Sequence, residues 1–176
     1  YLAEAIKRKV NIPLLAGGVI RDPSAAEEAL ERGITDFVFI GRGLLSDPEW
    51  PNKARTGKGM DIRPCISCNT CINRDFSGLH LRCAVNPLTG RESRFKSEKQ
   101  PKKSLNVLIV GGGPAGMQSA IAFSRRGHRV ELADKSKSLG GLLNLAGLPP
   151  HKYRLTQLRD HLVHQVNQMP IKVSLN

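Results

Sequence analysis

Apolar residues along this chain fall into short blocks, and nearly every block stops at a glycine. Leu2, Ala5, Ile6 and Val10 share one face at helical spacing, so the chain opens in a helix. Asn11 and Pro13 introduce a buried-strand run from Ile12 to Ala16 that ends at Gly17-Gly18. Asp22 and Pro23 then offer an N-cap and a first-turn proline for a helix through Arg32, with Gly33 placed to end it. A second apolar run, Phe37 to Ile40, stops at Gly41-Arg42-Gly43. Two strands about twenty residues apart with a helix between them form a parallel β-α-β unit, and their near-continuous apolar character predicts cover on both faces.

The same grammar returns later. Leu105 to Val110 reads as a short buried strand followed at once by G-G-G-P-A-G, with Gly111, Gly113 and Gly116 in the G-x-G-x-x-G positions and Ala120 small one turn on. In such a turn the first glycine permits the bend, the second lets backbone approach a pyrophosphate, and the third allows close helix-strand packing; Pro114 and Ala115 open the helix that faces the anion. That helix ends at Gly127, and His128 to Asp134 reads as the next strand. Asp134 stands eighteen residues beyond Gly116, close to where a ribose-binding acid belongs. Leu139-Gly140-Gly141-Leu142 makes a further turn with little side chain, which favours FAD over a simple nicotinamide site. Leu155, Leu158, Leu162, Val166 and Met169 follow helical spacing as a core stripe, with His161 and His164 read as surface or packing residues, and Ile171 to Leu175 is strand-like.

Composition changes this picture only in part. The net charge of +12 raises the question of nucleic acid, but the basic residues are scattered, and their one concentration, Arg91 to Lys103, has no interleaved aromatics on which bases could stack. That stretch is expected to be a solvated linker, and no nucleic-acid partner is expected. No apolar run approaches bilayer length, and nothing resembles a secretory signal, so a reducing, cytoplasmic setting is expected. The chain begins at Tyr1 inside a helical pattern and stops just after a strand-like run, and it is expected to be a piece of a longer enzyme. The expected segments are 1–60, 61–90, 91–103 and 104–176.

The sharpest chemistry lies between the two α/β halves. Cys65, Cys68 and Cys71 stand as C-I-S-C-N-T-C, and Cys83 follows twelve residues later. A tight three-cysteine loop with one remote cysteine is a ligand pattern for an iron-sulfur cluster. A four-thiolate zinc site would instead show two separated Cys-x2-Cys pairs. Cysteines three apart pair as disulfides only with strain. A plant-type 2Fe-2S centre would need a four-residue gap early in the motif, so a 4Fe-4S cluster is preferred. In the first half, Gly17, Gly18, Gly41 and Arg42 follow strands, where backbone N–H groups and an arginine fork can hold a phosphate; as spacing alone, paired glycines after strands are more often simple turns.

Together, N-I-P-L-L-A-G-G-V-I at 11–20, D-F-V-F-I-G-R-G-L-L-S-D-P-E-W-P at 36–51, the cysteine motif with C-A-V-N-P at 83–87, and V-G-G-G-P-A-G-M with the later L-G-G-L-L-N-L-A resemble one family. It is the iron-sulfur flavoenzymes of the 2,4-dienoyl-CoA reductase and trimethylamine dehydrogenase group, within the NADH:flavin oxidoreductase or old yellow enzyme superfamily. The resemblance implies an α/β fold: the last two units of an FMN-binding (β/α)8 barrel, a 4Fe-4S segment, and the start of a Rossmann-like FAD/NAD(P)-binding domain. It implies that Gly17, Gly18, Gly41 and Arg42 lie near the FMN phosphate, that Cys65, Cys68, Cys71 and Cys83 hold the cluster, and that Gly111, Gly113, Pro114, Ala115, Gly116, Asp134, Gly141 and Leu142 surround FAD, or ADP in its place. Expected activity is electron transfer from NAD(P)H through FAD and the cluster to FMN, reducing an activated carbon-carbon double bond. An amine dehydrogenase running the other way, toward an electron-transfer flavoprotein, is the first alternative, and a non-catalytic electron-transfer module is the second. The catalytic acid and the substrate pocket, for an unsaturated or amine substrate, are expected on residues outside this chain.

Overall fold

A computed structural model describes residues 2–18, 20–96 and 101–176. It is a mixed α/β chain of two compact units, residues 1–89 and 90–176. Tyr1, Val19 and the 97–100 part of the expected linker lie outside the described residues.

The first unit runs α1 (Leu2–Lys7), β1 (Leu15–Gly17), α2 (Pro23–Glu31), β2 (Phe37–Phe39), α3 (Arg42–Ser46), α4 (Trp50–Arg55), a 3-10 turn at Gly59–Asp61, and α5 (Thr70–Phe76). Asp22 caps α2 by accepting from the Ala25 N–H at 2.9 Å, Pro23 occupies the first turn, and Gly33 leaves the helix at φ +61. β1 and β2 pair in parallel, Leu15 opposite Phe37 and Gly17 opposite Phe39. The sequence places the first strand three residues too early. Pro13 has no N–H to give a ladder, and pairing begins only at Leu15. The expected cover on both faces is also absent among the described residues of the unit: Val38 packs inward, while Leu15, Phe37 and Phe39 are each about 60% exposed. Ala26, Trp50 and Ile62 form the core, with Ile20, Val38, Ile40 and Ala54 against it.

The second unit runs α6 (Glu92–Lys96), β3 (Asn106–Val110), α7 (Pro114–Arg125), β4 (Arg129–Asp134), α8 (Leu143–Ala146), α9 (Tyr153–Asn167) and β5 (Ile171–Leu175). Its three strands form a parallel sheet in the order β3-β4-β5. Helix α7 packs on β3, β4 and α9, and the core is Met117, Ala120, Ile121, Val130, Leu132, Leu158, Leu162 and Val166. The 91–103 stretch contains a short helix, α6, and one expectation needs correction. The run at 105–110 is half-covered and not fully buried: Val107 and Ile109 are partly buried, whereas Leu105, Leu108 and Val110 are exposed, since among the described residues α7 packs on the covered side alone.

Candidate functional sites

In the first unit the four cysteines line one recess, together with Arg42, Leu45, Ile66, Asn69, Ala84 and Val85. The motif is not a plain loop. Ser67 and Asn69 take left-handed conformations, φ 56 and φ 59, so the chain turns sharply on either side of Cys68, and Cys71 enters the first turn of α5. Asparagine adopts that conformation more readily than most residues.

Two polar networks fix the walls. Asp47 is buried, and its carboxylate accepts from Lys53 Nζ at 2.6 Å, the Arg63 N–H at 2.9 Å and the Glu49 N–H at 3.1 Å, anchoring the approach to Cys65. On the Cys83 side, Asn86 Nδ2 and Thr89 Oγ1 both donate to the Leu45 carbonyl, at 3.1 and 2.8 Å, and Arg63 donates to the Val85 carbonyl. Asp47, Asn86 and Thr89 escaped the sequence reading, although N-P after C-A-V was visible as a turn signal.

The donor set fits a polynuclear iron-sulfur group. Burial pushes the Cys83 thiol above its ordinary range, and charge on Cys65 and Cys68 pushes it further. Thiolates that repel one another in a half-desolvated recess need a cationic partner. Among the described residues, no three His, Cys, Asp or Glu side chains converge as ligands of a single metal ion. The four cysteines are free thiols that line one shared recess.

A second recess adjoins the first. Gly18, Ile20, Arg21, Phe39, Gly41, Arg42, Gly43, Cys65 and Ser67 line it. Gly18 (φ +101) and Gly41 present backbone at the ends of the two strands, and Arg42 brings the guanidinium. Gly17 is placed differently, inside β1, where a Cβ would meet the Phe39 ring at 2.9 Å; its smallness serves strand pairing. Ser67 Oγ is buried without a hydrogen-bond partner, so this wall has an unused donor and acceptor. Arg42 and Cys65 belong to both recesses.

In the second unit, the glycine turn is built backbone against backbone. Gly111 takes φ +112. A Cβ on Gly116 would lie 1.8 Å from the Gly111 carbonyl oxygen, whereas one on Gly113 would meet nothing nearer than Gly141 Cα at 4.0 Å. Gly116 is therefore a packing glycine, and Gly113 guards open space above α7, beside Pro114 and Ala115, which are exposed. The second glycine pair returns to the first: the Gly140 N–H donates to the Gly112 carbonyl at 2.8 Å, and Gly141 (φ +55) stacks on Gly113. Asp134 accepts from the Gly112 N–H and, at 2.7 Å, from the Ser136 N–H. Those two bonds, in that order, hold its carboxyl below the usual range. Gly112 occupies a variable position of the G-x-G-x-x-G motif, and Gly140 was read as part of a turn without a role of its own. Leu142 is 80% exposed, next to the glycines but outside the packed core.

Residues 2–61 match the NADH:flavin oxidoreductase / NADH oxidase family, and residues 106–169 match the FAD dependent oxidoreductase family. Each of these two family matches spans about a third of the chain. It is 49% identical over 175 residues to an NADH oxidase of Thermoanaerobacter brockii, covering 98% of this chain and 27% of that protein. A dimethylamine dehydrogenase of Hyphomicrobium sp. (strain x) is 39% identical over 170 residues, covering 89% of this chain and 23% of the relative. The solved structure of a 2-naphthoyl-CoA reductase bound to 2-naphthoyl-CoA superposes with a TM-score of 0.93 at 31% identity, across 99% of this chain and 27% of that one. The chain thus spans about a quarter of the length of the curated relatives it matches. No described helix is long and apolar enough to cross a membrane.

Proposed function

We propose that this chain carries the FMN-phosphate end, the iron-sulfur site and the opening of the FAD-binding fold of an enzyme that uses NAD(P)H to reduce an activated carbon-carbon double bond. The carrying observation is the pair of adjoining recesses, one lined by four cysteines and the other by Gly18, Gly41 and Arg42, with Arg42 and Cys65 in both. In this reading the first unit is the end of a (β/α)8 barrel, where loops after the last strands hold phosphate. Cys65, Cys68, Cys71 and Cys83 would hold a 4Fe-4S cluster, which when bound supplies one-electron transfer that complements the two-electron chemistry of flavins. Gly111, Gly113 and the α7 N-terminus would receive a pyrophosphate, with Gly141 closing the cradle and Asp134 fixing the glycine turn while retaining lone pairs for a ribose hydroxyl. Four thiols in such a role belong in a reducing compartment, consistent with the cytoplasm.

The first reading draws on the naphthoyl-CoA reductase superposition, and a second draws on the dimethylamine dehydrogenase: oxidation of an amine with electrons leaving to an electron-transfer flavoprotein. Cofactor extraction from the full-length enzyme, with iron and acid-labile sulfide assay, tests both. FMN, FAD and about four irons per chain, together with NAD(P)H-driven reduction of an enoate or enoyl-CoA, are the expected results. ADP in place of FAD, with dye reduction by a secondary amine, would turn the direction. Zinc, or no flavin, would refute both and leave a non-catalytic module.

A further inference from the structure

The two recesses of the first unit share one long side chain, and that side chain is tied to the cysteine motif. Arg42 Nη1 donates to Asn69 Oδ1. Asn69 sits between Cys68 and Cys71, holds the left-handed conformation that lets the motif turn, and is the N-cap residue of α5, which carries Cys71. A guanidinium has five donors in a planar fork, so one can be held by Asn69 while others face an anion among Gly18, Gly41 and Gly43. An arginine already fixed in place loses less freedom when the anion arrives. The converse also holds. An anion that fixes Arg42 from the other side fixes the acceptor, and with it the turn between two cluster ligands.

Resting on the site reading above, we propose that Asn69 is a positioning residue: its bond to Arg42 couples occupation of the flavin-phosphate recess to retention of the iron-sulfur group at the cysteines. The coupling is reciprocal by thermodynamic linkage, so bound FMN stabilises the cysteine turn as much as the ordered turn improves FMN binding. Neither the glycine motif nor the cysteine motif contains this link; it exists only because α3 and the turn at 67–69 are adjacent.

The test uses the full-length enzyme, loaded with iron, with and without saturating FMN. The rate of iron loss to a chelator is followed by the loss of cluster absorbance. In the wild type, FMN slows iron loss by about fivefold, the scale of one hydrogen bond to a charged group near a surface. Asn69→Gly keeps the left-handed turn accessible but removes the acceptor, and it abolishes the FMN protection. Arg42→Met leaves the cysteine motif untouched and loses the same protection, and adding Asn69→Gly to it produces no further loss. Arg42→Met therefore decides the matter even where Asn69→Gly fails to take up iron. Full FMN protection in either single variant overturns the coupling while leaving the site reading intact. A wild type that holds no iron or binds no FMN overturns both.

Discussion

Two alanine substitutions three residues apart in the glycine motif should behave in opposite ways, and the contrast tests the placement of α7 against β3 directly. Gly116 lies inside α7, where alanine is favoured over glycine by about 1 kcal/mol on helix propensity alone. The structure overrides that gain. A methyl at Gly116 would sit 1.8 Å from the Gly111 carbonyl oxygen and 3.0 Å from its carbon, and both are backbone atoms of the turn itself. Relief requires the helix to retreat from the turn by more than an ångström, which disturbs the contact of Met117, Ala120 and Ile121 with β3 and β4. Overpacking costs about 1–3 kcal/mol where side chains can yield, and a backbone obstacle puts this case at the top of that range or beyond. The net expectation for Gly116→Ala is a loss of about 2 kcal/mol or more. Gly113→Ala should cost no more than about 0.5–1 kcal/mol, the difference between glycine and alanine as an N-cap, because its methyl would make only an ordinary contact with Gly141 Cα at 4.0 Å. Hydrogen exchange of the β3 and β4 amides reads the local stability of this unit. Gly116→Ala should speed it about 30-fold, the equivalent of about 2 kcal/mol. Gly113→Ala should leave exchange nearly unchanged while weakening dinucleotide binding. Slower exchange in Gly116→Ala would mean that propensity wins and that the close approach of helix and turn is not real.

Other consequences are open to measurement. Asp134 is held below the ordinary carboxylate range by the Gly112 and Ser136 N–H groups. It therefore adds stability above the unfolded value of about 3.9, and that contribution disappears as pH falls through the depressed folded value. In melts from pH 7 down to pH 3, Asp134→Asn should have a shallower acid limb than the wild type, and an identical slope would contradict the assignment. Asn86→Ala removes one of the two donors on the Leu45 carbonyl, a buried tie worth about 1–3 kcal/mol, and should lower the iron retained per chain after gel filtration. Retention at the wild-type level would show that Thr89 alone holds the Cys83 wall. Met117, on the inner face of α7, is fully buried, so Met117→Ala should cost about 2–5 kcal/mol, read as a fall in the melting temperature of the second unit.

Much of this molecule is legible from the chain. The β-α-β order, the capped helix after Asp22, the strand-turn-helix around Gly111 to Gly116 and the grouping of three cysteines all follow from local rules: periodicity, caps, and the unique backbone freedom of glycine. Local rules fail where partners are distant in sequence. Nothing near Leu45 announces that its carbonyl will receive Asn86 and Thr89, more than forty residues on. Burial is likewise decided by what covers a strand, so the apolar runs at 12–16, 37–40 and 105–110 read as buried although this chain covers only one side of them. The glycine motif shows which residues must be small, but only the fold separates Gly116, which is small because a carbonyl occupies its space, from Gly113, which is small beside an opening. Residue type and spacing thus determined which chemistry is present. The tertiary structure decided which groups share a wall, because hydrogen bonds and packing depend on distances that sequence separation does not encode.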